Sequence, residues 1–278
     1  MPRFFGEFLI ATGEIEHRHL QEALELCDQV NLRIGELAVR ENWMDKGQVR
    51  EVLEKQRSID RRFGEIAVAM EFLTESQLQT LTHQRTTSHL YIGESLVQLN
   101  IVTRSALEDL LDQYKHEVSA FNERNQAPVE ITRNRIAALT LEALPRIASR
   151  MARLQILTQW GPEWFDDPAL EHRRWIEVEG GEHLIIGIAA SEQLAHQIAA
   201  AMLMCEPSEL DPGDADDALG EFLNLLMGSA KTAACSDTDE SRLTPPRGDN
   251  FPTEGFGLYL VTNRGPGCVL FQTAPASE

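Results

Sequence analysis

Gly6, Gly35, Gly64 and Gly93 stand 29 residues apart, and a glutamate follows each one: Glu7, Glu36, Glu65 and Glu94. Other columns agree at the same spacing. Phe5, Ile34, Phe63 and Ile92 precede the glycine; Ile10, Val39, Val68 and Val97 follow it; Leu20, Val49, Leu78 and Leu107 come later. The units run 3–31, 32–60, 61–89 and 90–118. A fixed period constrains the fold more than composition does, because every copy must be the same supersecondary unit. Each unit reads as a short helix, a break and a longer helix. The break falls at Gly13, Asn42, Glu71 and Asn100, and glycine and asparagine tolerate the left-handed conformation that ends a helix. The longer helix begins at Glu16, Asp45, Thr74 or Thr103. Thr74 with Gln77 makes a capping box and Asp45 with Gln48 a near version of one. One hairpin cannot bury its apolar stripe alone, so four are expected to bury one shared core as an all-α domain over residues 1–118.

This pattern resembles the MshEN family of the amino-terminal regions of type II secretion and pilus ATPases. Unit two fits its signature best, with Arg33, Ile34, Gly35, Val49, Leu53 and Gln56 in register; unit three offers Arg62, Phe63, Gly64 and Leu78. Some members bind cyclic di-GMP, so the resemblance implies Arg33 with Gly35 and Arg62 with Gly64 as nucleotide-binding candidates. Arginine suits this task because its planar fork binds phosphate or guanine edges and stacks on bases. The chain departs from the family at Asn42 and Glu71, where the second motif glycine belongs, at Ala38 and Ala67, and at Phe4 and Tyr91 in place of the arginine. Those departures favour an array used for packing or partner docking, with a cyclic di-GMP sensor as the alternative.

A length of 278 residues suggests about two domains at ~150 residues each. The repeat is lost in Val118–Pro128, VSAFNERNQAP, so residues 119–128 are expected to be a linker and 129–278 a second domain. The formal charge of −19 argues against nucleic acid, whose phosphates need clustered Lys and Arg, and against anionic membranes. No run approaches the ~20 apolar residues of a membrane span. Cys27, Cys205, Cys235 and Cys268 are scattered. Neither a disulfide framework nor a metal site is expected, and a cytoplasmic location fits.

The second half reads as α+β. Ile131–Ile156 carries apolar residues at helical steps, with a kink or break expected at Pro145. Leu154–Trp164 fits neither period. Trp175–Val178 and His183–Ala190 flank Glu179-Gly180-Gly181-Glu182 as a hairpin. Ser191 caps the helix that follows, and Gly257–Thr262 and Gly267–Thr273 are two further strands. Ahead of these two strands Asp216–Ala234 is apolar almost all round, as a buried helix is. One stripe departs from this: Asp217, Glu221, Asn224, Gly228 and Lys231, at steps of three or four. That spacing puts Glu221 and Asn224 side by side one turn apart.

The run DALGEFLNLLMGSAK, the preceding HLIIGIAASEQLAHQIAAAMLM and the later RLTPPRG resemble the chemotaxis phosphatase family CheX and its relatives CheC and FliY. The family's helix has the form D-x-x-x-E-x-x-N-x-x-x-G, matched by Asp217, Glu221, Asn224 and Gly228. The resemblance covers about Val129–Ala274. It implies hydrolysis of the aspartyl phosphate of a CheY-like response-regulator receiver domain, with Glu221 and Asn224 catalytic and Asp217 and Gly228 in partner docking. It implies no cofactor of the chain's own, Mg²⁺ being carried by the phosphorylated partner, and allows a homodimer. A receiver-binding adaptor without turnover is the alternative. Other candidates carry no chemistry here: His183 and His196 lack a ligand cluster, Ser236 and Ser241 lack a His–Asp arrangement, Gly180-Gly181 lacks the lysine of a phosphate loop, and Asp237–Glu240 reads as a solvated acidic loop.

Overall fold

The computed structural model describes residues 3–57, 59, 61–161, 167–180, 183–203, 205–234 and 241–273. Internal contacts divide the chain between Ala120 and Phe121. Ser236, Cys235 and the Asp237–Glu240 loop lie outside the described residues.

The first region is helical throughout. Short helices α1 (Phe5–Ala11), α3 (Ile34–Arg40), α5 (Phe63–Ala69) and α7 (Ile92–Gln98) alternate with longer ones, α2 (His17–Val30), α4 (Lys46–Arg57), α6 (Glu75–Thr87) and α8 (Arg104–Arg124). Each agreeing sequence column has a local physical cause. The glycine lets the two helices of a hairpin touch: a Cβ on Gly6, Gly64 or Gly93 would lie 2.5, 2.2 or 2.7 Å from the leucine fourteen positions on, Leu20, Leu78 or Leu107, and one on Gly35 3.1 Å from Val49. In the first three units the glutamate after it reaches back to the free N–H at the start of the short helix. Glu7 accepts from Phe4 N at 3.1 Å, Glu36 from Arg33 N at 2.8 Å and Glu65 from Arg62 N at 3.3 Å. Such N–H groups have no partner inside the helix. The break residues Gly13, Asn42, Glu71 and Asn100 all have φ between 56° and 79°. Around Asn42, its own N–H donates to Val39 O and Trp43 N to Ala38 O, and the same pair of bonds recurs at Glu71 and Asn100. This double bond pattern satisfies the last carbonyls of the helix. Asp45 with Gln48 and Thr74 with Gln77 are both reciprocal capping boxes.

The expected single core is two. Phe8, Leu9, Ile15 and Ala23 pack with Leu96, Val102, Leu107 and Leu110, joining residues 3–31 to 90–118. Leu37, Ala38, Met44 and Val52 pack with Ile66, Ala67, Leu73 and Leu81, joining 32–60 to 61–89. The outer pair is also tied by polar bonds: the Asn31 carboxamide donates to Leu90 O at 2.9 Å and accepts from Leu90 N at 2.7 Å.

The helix α8 continues to Arg124, inside the stretch expected as linker, and Asn125 closes it by donating its N–H to Phe121 O. Beyond lies a six-stranded antiparallel sheet in the order β1-β5-β6-β3-β2-β4. Its strands are β1 (Ile156–Gly161), β2 (His172–Glu179), β3 (Leu184–Ala190), β4 (Arg242–Leu243), β5 (Phe256–Thr262) and β6 (Gly267–Thr273). Within the ambiguous Leu154–Trp164 stretch, Ile156–Gly161 is thus an edge strand, and residues 162–164 lie outside the described residues. The expected hairpin is β2–β3, with Gly180 at φ 83° in its turn. Alternate residues Ile176, Val178, Ile186, Ile188, Val269, Phe271, Leu258 and Leu260 form one buried face. Against that core pack α9 (Val129–Arg133), α10 (Arg135–Met151), α11 (Glu192–Leu203) and α12 (Asp214–Ala234). The helix α10 runs through Pro145 without a break, its inner stripe Ala137, Thr140, Ala143, Leu144, Ile147, Ala148 and Met151 holding it to the core. Seven buried side chains on one stripe outweigh the ~3 kcal/mol that an interior proline costs, since each large apolar one contributes about 1.5–3 kcal/mol.

Candidate functional site

The longest element of the second region's core, α12, is where the apolar pattern and the polar stripe meet. Ala218, Leu219, Gly220, Phe222, Leu223, Leu226, Met227 and Ala230 are buried. It starts at Asp214, two residues before the expected Asp216. Asp214, Asp216 and Asp217 occupy the first turn and Lys231 the last, the arrangement that the helix dipole favours. Along the remaining side Asp217 and Glu221 are exposed, and Asn224 and Gly228 are half-buried. The Asn224 carboxamide nitrogen donates to Glu221 Oε2 at 3.3 Å. A carboxylate only accepts, so it holds the NH₂ end of the amide and leaves the amide oxygen as the outward acceptor. A Cβ built on Gly228 would meet nothing within 4 Å, so this chain's own packing does not require the glycine.

Both flanks of the stripe are built structures. On one side Ser241–Asp249 straps across β2. Thr244 N donates to Glu177 O at 2.9 Å, Glu177 N to Thr244 Oγ1 at 3.0 Å, and Trp175 and Arg247 exchange two backbone bonds of 2.9 Å each. The Trp175 indole donates to Asp249 O at 2.7 Å, and the Arg247 guanidinium lies 5.0 Å above its ring. Pro246 of this strap lies over Gly220, where a Cβ would come within 3.3 Å. Lys231 donates to Ser241 O at the strap's start. Gly220, next in sequence to Glu221, is therefore where the strap sets the height of the helix. The prolines and the mid-helix glycine were the available sequence signals for this contact, and the sequence reading passed over them. On the other side α10 and α12 leave a cleft of about 220 Å³ lined by Leu139, Glu142, Ala143, Arg146, Ser229, Ala230 and Ala233.

A second polar cluster stands at the start of α12. His172 Nδ1 is 3.0 Å and Arg174 Nη1 3.4 Å from Asp216 Oδ1, and the rings of His172 and His196 are 6.2 Å apart. His183 faces Glu177 at 3.6 Å. Among the described residues no three His, Cys, Asp or Glu side chains are placed to hold a metal. Burial pushes the Cys268 thiol up to about 12 and raises that of Cys27, so neither is a thiolate nucleophile near neutral pH.

The arginine and glycine candidates of the first region are separated in role. Arg33 and Arg62 are exposed at the starts of α3 and α5, whereas Gly35 and Gly64 are buried. The space beside Gly35 is filled by Phe63 and Val49, and that beside Gly64 by Leu78.

Sheet, strap and buried helix with one polar stripe define an α+β domain that carries an exposed carboxylate beside a half-buried carboxamide. Residues 175–248, from Trp175 through the strap, match the family of the chemotaxis phosphatase CheX. Solved structures similar to this chain include chemotaxis protein CheX from Desulfovibrio desulfuricans, at 19% identity over 50% of this chain and 98% of that one, with a TM-score of 0.39. CheX from Vibrio vulnificus is similar at 20% identity over 49% and 99%, with a TM-score of 0.40. A CheX–CheY–BeF₃–Mg²⁺ complex from Borrelia burgdorferi is similar at 14% identity over 50% and 97%, with a TM-score of 0.39. No curated protein matches the chain. No helix among the described residues is long and apolar enough to cross a membrane.

Proposed function

We propose that the second region binds the phosphorylated receiver domain of a CheY-like response regulator and hydrolyses its aspartyl phosphate. The observation that carries this reading is the Glu221–Asn224 pair on the exposed stripe of α12, 3.3 Å apart, within the stretch matched to the CheX family. The phosphoryl group arrives on the partner together with its Mg²⁺, so this chain needs no metal of its own. Its task is to position water in line with the phosphorus and to tolerate transition-state charge. The outward oxygen of Asn224 accepts a hydrogen bond from that water. A carboxamide is too weak a base to take the proton, so it orients only. Glu221 meets a cation of the partner's active site by a charge-assisted bond and holds Asn224 in place. Asp217 extends the docking stripe, and Gly228 leaves it low enough for close approach.

The test is the decay of phosphorylated receiver domains from the same cell, with wild type, Asn224→Ala and Glu221→Ala. Wild type should accelerate decay. Asn224→Ala should lose most of the rate while still binding the receiver, because water orientation is felt in the transition state and little in docking. Glu221→Ala should weaken both. A wild type that binds without speeding decay leaves the adaptor reading; an Asn224→Ala variant as fast as wild type refutes the assigned role.

For the first region we infer an MshEN-like array that docks or regulates. Cyclic di-GMP binding has one observation in its favour: α3 and α5, which present Arg33 and Arg62, lie against each other. The space beside Gly35 and Gly64, however, is taken up by side chains of the same core. Calorimetry with cyclic di-GMP should accordingly show weak or no binding. Sub-micromolar affinity abolished by Arg33→Ala would reverse that assignment.

A further inference from the structure

Charge is placed differently on the two long helices of the second region. The helix α12 follows its own dipole, with Asp214, Asp216 and Asp217 in the first turn and Lys231 in the last. The helix α10 does not. No acid stands in its first turn, and Arg135 takes the first helical position behind the Asn134 cap. A cation there opposes the dipole, so Arg135 weakens the element that carries it. In a chain of net charge −19, residues 129–153 hold five arginines against two carboxylates. Steps of three or four put Arg135, Leu139, Glu142, Arg146 and Arg150 on one stripe of α10. Arg135, Glu142 and Arg146 are exposed.

This stripe borders the Glu221–Asn224 site. Arg146 Nη2 donates to Ser229 Oγ at 3.2 Å, and Ser229 follows Gly228, the position where an added Cβ meets nothing. Leu139, Glu142 and Arg146 also form the α10 wall of the cleft of about 220 Å³, facing Ser229 and Ala233 of α12. A cation is thereby tied beside the open position on α12.

An aspartyl phosphate calls for such a cation. A phosphoryl group carries about −1.5 to −2, and a bound Mg²⁺ is held largely by carboxylates, so the face around the reacting group is acidic. The α12 stripe meets that face with Asp217 and Glu221, both exposed, and both repel it. Resting on the receiver-binding reading of this region, we infer that the Arg135–Arg146 stripe of α10 is an electrostatic docking surface for the phosphorylated receiver. It attracts the acidic rim of the receiver's reacting face and offsets the repulsion from Asp217 and Glu221. Glu142 is the one unfavourable charge on the stripe. Charges at the rim of an interface act mainly on association rate and salt dependence.

The experiment measures the association rate of the full-length chain with receiver domains from the same cell, loaded with beryllofluoride and Mg²⁺. It is run at low salt and at ~1 M salt, where the Debye length is ~3 Å. At low salt the double variant Arg135→Glu, Arg146→Glu should associate about ten-fold more slowly than wild type or slower still, and the double variant Arg135→Lys, Arg146→Lys should stay within about two-fold of it. Glu142→Arg should associate about three-fold faster, a gain that a damaged fold does not produce. At ~1 M salt the four proteins should converge. Circular dichroism identical to wild type secures that the variants are folded. A wild type that binds the receiver, with the double glutamate variant binding as fast, overturns the docking surface and leaves the receiver reading standing. Slowing that persists undiminished at ~1 M salt also overturns it, since that is a packing defect. Salt-sensitive association of the wild type with itself, lost in the double glutamate variant while receiver binding is kept, would assign the stripe to a second copy instead. A wild type that binds no loaded receiver overturns the receiver reading and the docking surface together.

Discussion

Gly228 costs its helix stability and returns nothing in internal packing. A glycine inside a helix is worse than alanine by about 0.5–1 kcal/mol, and a Cβ added there would meet nothing within 4 Å. Gly228→Ala should therefore raise the urea midpoint by an amount equivalent to up to about 1 kcal/mol. Gly228→Leu should leave the fold intact and weaken receiver binding, read as a higher KM for the phosphorylated receiver with little change in kcat. A drop in folding stability for either variant would show that the glycine serves this chain and not a partner. Gly220, two turns earlier, is the contrast, because Pro246 already occupies the space a side chain would need. The pair was not equally legible. Glu221, Asn224 and Gly228 announce themselves by breaking an apolar pattern. Gly220 falls within the buried part of the helix, and its reason lies twenty-six residues away in the strap, beyond the reach of periodicity.

Among elements, the turns that end α1, α3, α5 and α7 were the most legible, because a left-handed residue is a local demand with a local signature. Glycine or asparagine meets it at 13, 42 and 100, while Glu71 holds φ 61° with an ordinary side chain. Left-handed backbone costs such a residue roughly 1–2 kcal/mol, which asparagine largely escapes. Glu71→Asn should stabilise the first region by about 1 kcal/mol in urea denaturation, and Asn42→Glu should do the reverse. Elements set by distant partners were harder to read. The strand β1 shows mixed period because it is an edge, half-buried at all six positions. Pro145 signalled a break that the apolar stripe of α10 overrides. The Asn125 carboxamide bonds to Thr158 O and Trp160 N across more than thirty positions, and no spacing rule links a helix end to a strand edge.

At the scale of the whole molecule, the repeat columns specify each hairpin but say nothing about which hairpins share a core, because the same contact between the glycine and the residue fourteen positions on occurs in all four. The partition into outer and inner pairs shows only in side-chain detail, such as Asn31 clasping the backbone of Leu90. It has a consequence for how the chain acquires structure as it leaves the ribosome. In a linear stack each new copy can add to the one before. Here residues 3–31 have no core until 90–118 have been made, since Phe8 and Leu9 pack on Leu96 and Leu107. The inner pair completes its core by Leu81. A nascent chain halted near residue 89 should thus carry a folded centre and an unfolded leading end. Limited proteolysis of a 1–89 fragment should spare 32–89 and digest what precedes it, and extension to 118 should protect both. Protection of residues 3–31 in the shorter fragment would mean that the leading hairpin acquires structure without its distant mate.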